Sequence, residues 1–384
     1  MTQIDPGTPT WLRTRNDRTA FRLLLEHGPL TRARLGELSG MSKPTAAQML
    51  SRLERLGLIG PVGEVSAGRG PNAMSYGVRT DRMTGVAISV LEETIQAVVV
   101  DVADADHPIV ELDLGAKRGR RTPEGDVEAA VTAACTAAGI EPGSVSRVLI
   151  GVQAAVFDDD DELSFTDTLP GWPDRGARKR IEDALGYAVT IDNDVKLATM
   201  AERSVGAAAG SPSFALVWIG EGLGVGVDVG GLVHRGAFGG AGEIGYLEVP
   251  RSATALDPDA HDVTDLLGGP AMARLLGGRS LDTVLPRLTG DDAAMEAIAD
   301  RVVLVIQPVL AIIDPAMVVL GGPTAVAAGP RLAELVAARI DVVARPRLTV
   351  HTSATGAQPV LLGARQQLVQ QIRDRLEAGI AQGS

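Results

Sequence analysis

Thr45, Gln48 and Arg52 lie in one short stretch, and all three side chains can hydrogen-bond to base edges. Their spacing of three and four residues sets them on one stripe of a helix, while Ala46, Leu50 and Leu53 form an apolar stripe beside them. Ser42 reads as the N-cap of that helix, Pro44 sits in its first turn where a missing N–H costs little, and Gly57 stops it. Upstream, 31–39 reads as a second short helix joined through Gly40-Met41. Two short helices across a tight Gly-containing turn form a helix-turn-helix, whose second helix enters the major groove. Lys43 and Thr31 then stand where phosphates pass, and Arg69, between two glycines, is placed to reach a narrow minor groove or a phosphate.

A second group of residues could do different chemistry. Asp192-Asn193-Asp194 follows an apolar strand and precedes a helix. A carboxylate there either faces a ligand crevice, where Asp194 could act as a general base on a sugar hydroxyl, or simply caps the helix. Gly220–Gly226 is a glycine-rich turn open to a phosphate or to ordinary hairpin geometry, and Glu221 within it argues against a phosphate. From Arg235 to Tyr246, five glycines surround one carboxylate, Glu243: close backbone packing around a polar group, or a solvated loop. Asp314-Pro315 followed by Met317–Gly322 reads as a buried strand delivering two glycines to a crevice, or as a core strand ending in a turn.

These segments need a scaffold. The chain has 384 residues, enough for two or three domains with sizeable cores, with 45% hydrophobic and 22% charged residues. The single cysteine, Cys135, excludes an intrachain disulfide and a cysteine-cluster metal site. With no run of about 18 apolar residues and no signal-peptide core, a cytoplasmic location is expected. The net charge of −12 divides into +5 over residues 1–80 and −17 over the rest. A basic head on an acidic body suits a head that docks on phosphates, although a basic solvated face would look the same.

In chain order, residues 1–12 read as loose, Asn16–His27 as a helix burying Phe21, Leu24 and Leu25, and 58–78 as a two-stranded ribbon with its tip at 68–72. Residues 1–80 are thus expected to form a winged helix-turn-helix. From Thr84 apolar strands and helices alternate in two blocks, predicting an α/β body over 81–384. One lobe is expected over about 81–193 plus the C-terminal helix in 361–384, the other over about 194–360.

Taken together, Leu169-Pro170-Gly171-Trp172, Asp192-Asn193-Asp194, Gly239–Gly245, Asp314-Pro315 with Val318–Gly322, and Leu362-Gly363-Ala364 resemble the ROK family, which combines repressors and sugar kinases. The resemblance implies a two-lobed, actin-like (ribonuclease H-like) sugar-kinase fold. With a winged helix in front, it implies a repressor of carbohydrate genes that reads a palindromic operator as a homodimer or larger even oligomer. The alternative is a sugar kinase with a DNA-binding head. Family kinases hold ATP phosphates on an Asp-x-Gly-Gly-Thr loop, where this chain has Ala87-Ile88-Ser89-Val90-Leu91 followed by Glu92 and Glu93. Without that loop phosphoryl transfer is not expected, so no catalytic residue and no cofactor are assigned. The family's structural zinc uses a His and three cysteines; Tyr246 stands in place of the His and 250–268 contains no Cys, so no metal is assigned. The resemblance leaves Asn193, Asp194 and Glu243 of a sugar pocket, with Tyr246 and Asp265 as further candidates.

Overall fold

The computed structural model describes residues 7–65, 72–114, 121–157, 161–164, 169–340, 345 and 347–382. Arg69 therefore lies outside the described residues.

The first element is α1 (Pro9–His27), longer than the sequence pattern suggests: Thr8 caps it, accepting the Trp11 N–H, and Pro9 opens its first turn. The loose N-terminus expected over residues 1–12 is thus corrected from residue 9 onward. β1 (Leu30–Thr31), α2 (Arg32–Ser39), α3 (Lys43–Arg55), β2 (Ile59–Val65) and β3 (Ala73–Val78) follow. The three strands form one sheet in the order β1-β3-β2, against which the three helices pack: a winged helix-turn-helix.

The body opens with β4 (Thr84–Val90), β5 (Thr94–Val100), β6 (Val110–Asp113), α4 (Pro123–Ala138), β7 (Val145–Val152), β8 (Ala155–Phe157), β9 (Glu162–Ser164), α5 (Ala177–Leu185) and β10 (Ala188–Asn193). Then come α6 (Asp194–Val205), β11 (Ser213–Ile219), β12 (Leu223–Val229), β13 (Leu232–Val233), α7 (Val263–Leu267), α8 (Gly269–Leu275), α9 (Leu281–Leu288) and α10 (Asp292–Ile313). The chain ends with β14 (Met317–Gly321), α11 (Gly322–Ala328), α12 (Pro330–Arg339), β15 (Thr349–Thr352) and α13 (Pro359–Gln382).

Two five-stranded sheets share one topology. The first runs β10-β7-β4-β5-β6 and the second β13-β12-β11-β14-β15. Each is an antiparallel three-strand meander extended by two parallel strands on the side of its first strand. This duplicated sheet is the mixed α/β, actin-like body. Along β4 and β5 successive residues face opposite sides, as the pleat requires. Val86, Ile88, Val90, Ile95, Ala97 and Val99 join the core under α4 and α5. Ala87, Val98 and Val100 join the core under α13. That second core is continuous with the head: Phe21, Leu24, Leu50 and Leu53 belong to the same apolar cluster as Leu368, Ile372, Leu376 and Ile380. Among the described residues no helix is long and apolar enough to cross a membrane.

Candidate DNA-reading helix and interlobe pocket

α3 buries Ala46, Met49, Leu50 and Leu53 and leaves its other face open. Ser42 is its N-cap: Oγ accepts the Thr45 N–H at 3.4 Å and lies 2.9 Å from Thr45 Oγ1. Lys43, Gln48, Ser51, Glu54 and Arg55 are exposed and Thr45 half-exposed, so they line one polar face with two cations and one carboxylate. Ser51 and Arg55 continue the row of Thr45 and Gln48 at helical spacing, a signal present in the sequence but not used there.

Arg52 is corrected. Its guanidinium makes a two-pronged pair with Asp17 of α1, Nε to Oδ2 at 2.7 Å and Nη2 to Oδ1 at 2.6 Å. Asp17 is 1% exposed in this pair and Arg52 19%. A buried carboxylate demands that partner, so Arg52 fastens α3 to α1 rather than facing a groove. The partner lies 35 residues upstream, beyond the reach of helical spacing. Thr31 is also redirected: its Oγ1 accepts the Arg34 N–H as the N-cap of α2. Arg32 donates to the Tyr76 hydroxyl at 2.8 Å and lies over its ring, fixing α2 to β3.

In the body, β10 ends at the start of α6, between the two sheets. Asn193 caps α6, its Oδ1 accepting the Lys196 N–H at 3.1 Å while its Nδ2 donates to the Ala154 carbonyl at 3.0 Å. Asp194 is 8% exposed, and its Oδ1 accepts the Val195 N–H at 2.8 Å. The cap is thus Asn193 and not one of the two carboxylates, and Asp194 is a buried carboxylate in the first turn. Burial pushes the Asp194 carboxyl up to about 7, the Val195 N–H and Lys196 opposing and Glu243 adding repulsion. Burial also raises Glu243, with Lys196 opposing. Lys196 is 3% exposed and donates to the Gly239 carbonyl.

The glycine-rich loop lies flush on its neighbours. Gly242 has φ +91°, and a Cβ there would stand 1.8 Å from the Val225 carbonyl oxygen. At Gly239, φ is +89° and a Cβ would stand 2.2 Å from the Val156 carbonyl. Only glycine meets both conditions. The structure thus favours close packing over a solvated loop. The loop starts at Arg235, which grips Asp192 through Nη1–Oδ1 at 2.7 Å and Nη2–Oδ2 at 2.6 Å. Sequence reasoning missed Arg235 and Lys196 as members of this cluster.

The structure therefore links Asn193, Asp194 and Glu243 through contacts or charge and adds Lys196 and the Asp192–Arg235 pair. The other two candidates, Tyr246 and Asp265, stand on the segment that follows the glycine-rich loop. Tyr246 is half-exposed. Asp265 helps close the preceding turn: its N–H donates to Asp262 Oδ1 and its Oδ2 accepts the His261 N–H at 3.0 Å. Thr264 meets the glycine-rich loop instead, donating to the Gly245 carbonyl at 3.1 Å.

The donor set around Tyr246 does not fit a structural zinc. Among the described residues no cluster of His, Cys, Asp or Glu could hold a metal ion. The 248–262 segment closes by backbone pairing, Val249 N–H to the His261 carbonyl and Val263 N–H to the Leu247 carbonyl. The buried Arg301 of α10 anchors it, donating to the Leu256 carbonyl at 2.8 Å. Partial burial raises Glu221, with repulsion from Asp282 and Glu92 adding to it.

Asp194 gives a pH prediction. Its folded value of about 7 lies above the unfolded 3.8. The folded state therefore holds the proton more tightly, and this contribution is complete below pH 4 and lost as pH rises through 7. The span corresponds to on the order of 4 kcal/mol. Asp194→Asn does not titrate, so its thermal midpoint relative to the parent chain rises between pH 5 and pH 8. A difference that is equal at both pH values contradicts the burial of this carboxyl.

Residues 95–364 match the model of the ROK family, and residues 13–59 match the model of a winged helix-turn-helix DNA-binding domain. The chain is 23% identical over 251 residues to the xylose repressor of Bacillus subtilis (strain 168), an alignment covering 64% of this chain and 63% of the relative. It thus spans just under two thirds of the length of that relative. A solved ROK family transcriptional regulator, described as a homolog of the E. coli MLC protein, superposes with a TM-score of 0.69 at 17% identity, covering 97% of this chain and 99% of that one. The ROK hexokinase from Thermus thermophilus superposes with a TM-score of 0.62 at 25% identity, covering 76% of this chain and all of the other.

Proposed function

From its place in the ROK family, to which the chain belongs through residues 95–364, we propose that it is a DNA-binding transcriptional regulator, a repressor of carbohydrate genes. The observation that carries the reading is α3: its apolar face is fully used inside the head, while Lys43, Gln48, Ser51, Glu54 and Arg55 stand exposed and Thr45 half-exposed. Such a face is a reading surface for a major groove, with Gln48 bidentate to an adenine as the favoured base contact and Lys43 and Arg55 on phosphates. The chain reads a palindrome as a homodimer, since helix-turn-helix half-sites are matched by two-fold symmetry.

We place a neutral monosaccharide at the buried cluster of Asn193, Asp194 and Lys196 beside the half-buried Glu243, its hydroxyls donating to the carboxylates. The relative named as a xylose repressor makes D-xylose the first sugar to try. Asp194 has a proton affinity suited to a general base, which is the observation favouring a kinase. Phosphoryl transfer also needs the γ-phosphate held and its charge neutralised, and Glu92 and Glu221 work against both. The pocket therefore serves as an effector site. The test is selection of bound fragments from genomic DNA, followed by affinity for the selected site with and without sugar.

A further inference from the structure

We propose that α13 transmits the state of the pocket to α3, with Arg235 coupling the pocket loop to α13 and Glu377 handing α13 to the head. The proposal rests on the pocket and head as read above, and adds the element between them.

At the pocket end, Arg235 holds Asp192, two residues before Asp194, and its Nη2 also donates to Gln367 Oε1 of α13 at 3.3 Å. One guanidinium thus joins the loop carrying Glu243, the strand leading into α6, and α13.

Next, α13 is locked to what lies beneath it. At Gly363 the position of a Cβ is only 1.9 Å from the Leu197 carbonyl oxygen of α6, so the two backbones touch. Ser204 of α6 donates to Gln366 Oε1 at 2.8 Å. Arg365 donates to Asp104 Oδ1 and to the carbonyls of Asp104 and Ala105, and Arg373 to the Val102 carbonyl. Close-packed surfaces of this kind move together or not at all. A shift in the first turn of α6, where Asp194 and Lys196 lie, is therefore carried along α13. From Gln367 to Glu377 that helix spans about 15 Å.

At the head end, Glu377 takes a two-pronged pair from Arg22 of α1, at 2.7 and 2.6 Å, and its carbonyl accepts from Arg18 at 3.2 Å. Leu376 and Ile380 share the apolar cluster of Phe21 and Leu24. Then α1 passes the displacement to α3 through Asp17–Arg52. In this pair Glu377 is 13% exposed and Arg22 67%, so the contact is buried on the α13 side and open to water on the head side. It is therefore the joint at which the head can be let go.

Hydrogen–deuterium exchange on the full chain, read by mass spectrometry without DNA or sugar, tests this. Arg235→Gln and Glu377→Gln should each speed exchange in α1 and α3 roughly 2- to 30-fold. Because the two residues act in series, the double variant should add nothing beyond the larger single effect. Gln367→Ala, which leaves the Asp192–Arg235 pair in place, should act like Arg235→Gln and covers the case in which that variant misfolds. Arg339→Gln is the control: it loses its pairs with Asp300 and Glu296 on the second lobe and should leave α1 and α3 unchanged. Faster exchange confined to 234–243 and β10 in Arg235→Gln and Gln367→Ala, with α1 and α3 unaltered, overturns the proposal. Since neither ligand is used, that failure leaves the DNA reading standing, and a chain that selects no operator still yields this measurement.

Discussion

Asp17→Ala should abolish DNA binding although Asp17 faces no DNA. The substitution leaves the Arg52 guanidinium, 19% exposed, without its partner inside the head. Breaking a buried pair from one side costs about 3–5 kcal/mol, and partial solvation of Arg52 places this one near the lower end. A head of this size has roughly 4–12 kcal/mol in total, so much of its stability goes. Arg52→Ala should destabilise too, by stranding a carboxylate that is 1% exposed. Arg52→Lys should rescue little, because an ammonium cannot reproduce the forked geometry. Gln48→Ala is the contrast: the residue is exposed, so operator affinity should fall by about 1–3 kcal/mol with the melting midpoint unchanged. Circular dichroism melting beside a binding titration separates the two. An Arg52→Ala chain that melts like the parent but loses base preference would restore Arg52 as a base reader.

Gly363→Ala should be the most damaging single-methyl change in α13. The added carbon would stand 1.9 Å from the Leu197 carbonyl oxygen and 2.5 Å from its carbon. Those are backbone atoms of α6, which cannot swing aside as a side-chain tip can. Overpacking in a core costs typically about 1–3 kcal/mol, and a backbone obstacle pushes this case to the upper end. For a chain of this size that lowers the thermal midpoint by about 4 °C. Gly379 in the same helix supplies the control, since a Cβ there meets nothing within 4 Å. Gly379→Ala should stabilise by up to about 1 kcal/mol through better helix propensity. Equal midpoints for the two alanine variants would mean that α13 does not lie against α6 as described.

Local signals in the chain carried much of this architecture. Ser42, Pro44 and the Ala46–Leu50–Leu53 spacing specify α3 because capping and helical period are short-range effects. The strands of the two sheets are legible because β-branched runs bounded by glycine mark buried strands. What escaped were relations across long separations. Arg52 reads as part of the groove-facing row until Asp17, on another helix, claims it. Thr8-Pro9 did carry the start of α1, as a cap followed by proline, but the two prolines in residues 1–12 suggested looseness instead. The pocket was half legible: Asn193, Asp194 and Glu243 sit in motifs, whereas Arg235 and Lys196 join them only when the glycine-rich loop lies down on β12. Asp265 reads as a candidate from its place beside Thr264, and one of its oxygens accepts from the turn at His261.

The account turns on a sugar-kinase-shaped body that governs a DNA-reading head instead of phosphorylating sugar. The most direct test measures affinity for the genomic fragment the chain itself selects, by fluorescence anisotropy, with and without D-xylose and a panel of hexoses, while ATP consumption is followed in the same tubes. The account predicts a palindromic site, an affinity that changes 5- to 150-fold with one of the sugars, and no ATP consumed. Sugar-dependent ATP turnover through Asp194, with no fragment selected at low salt, would contradict it.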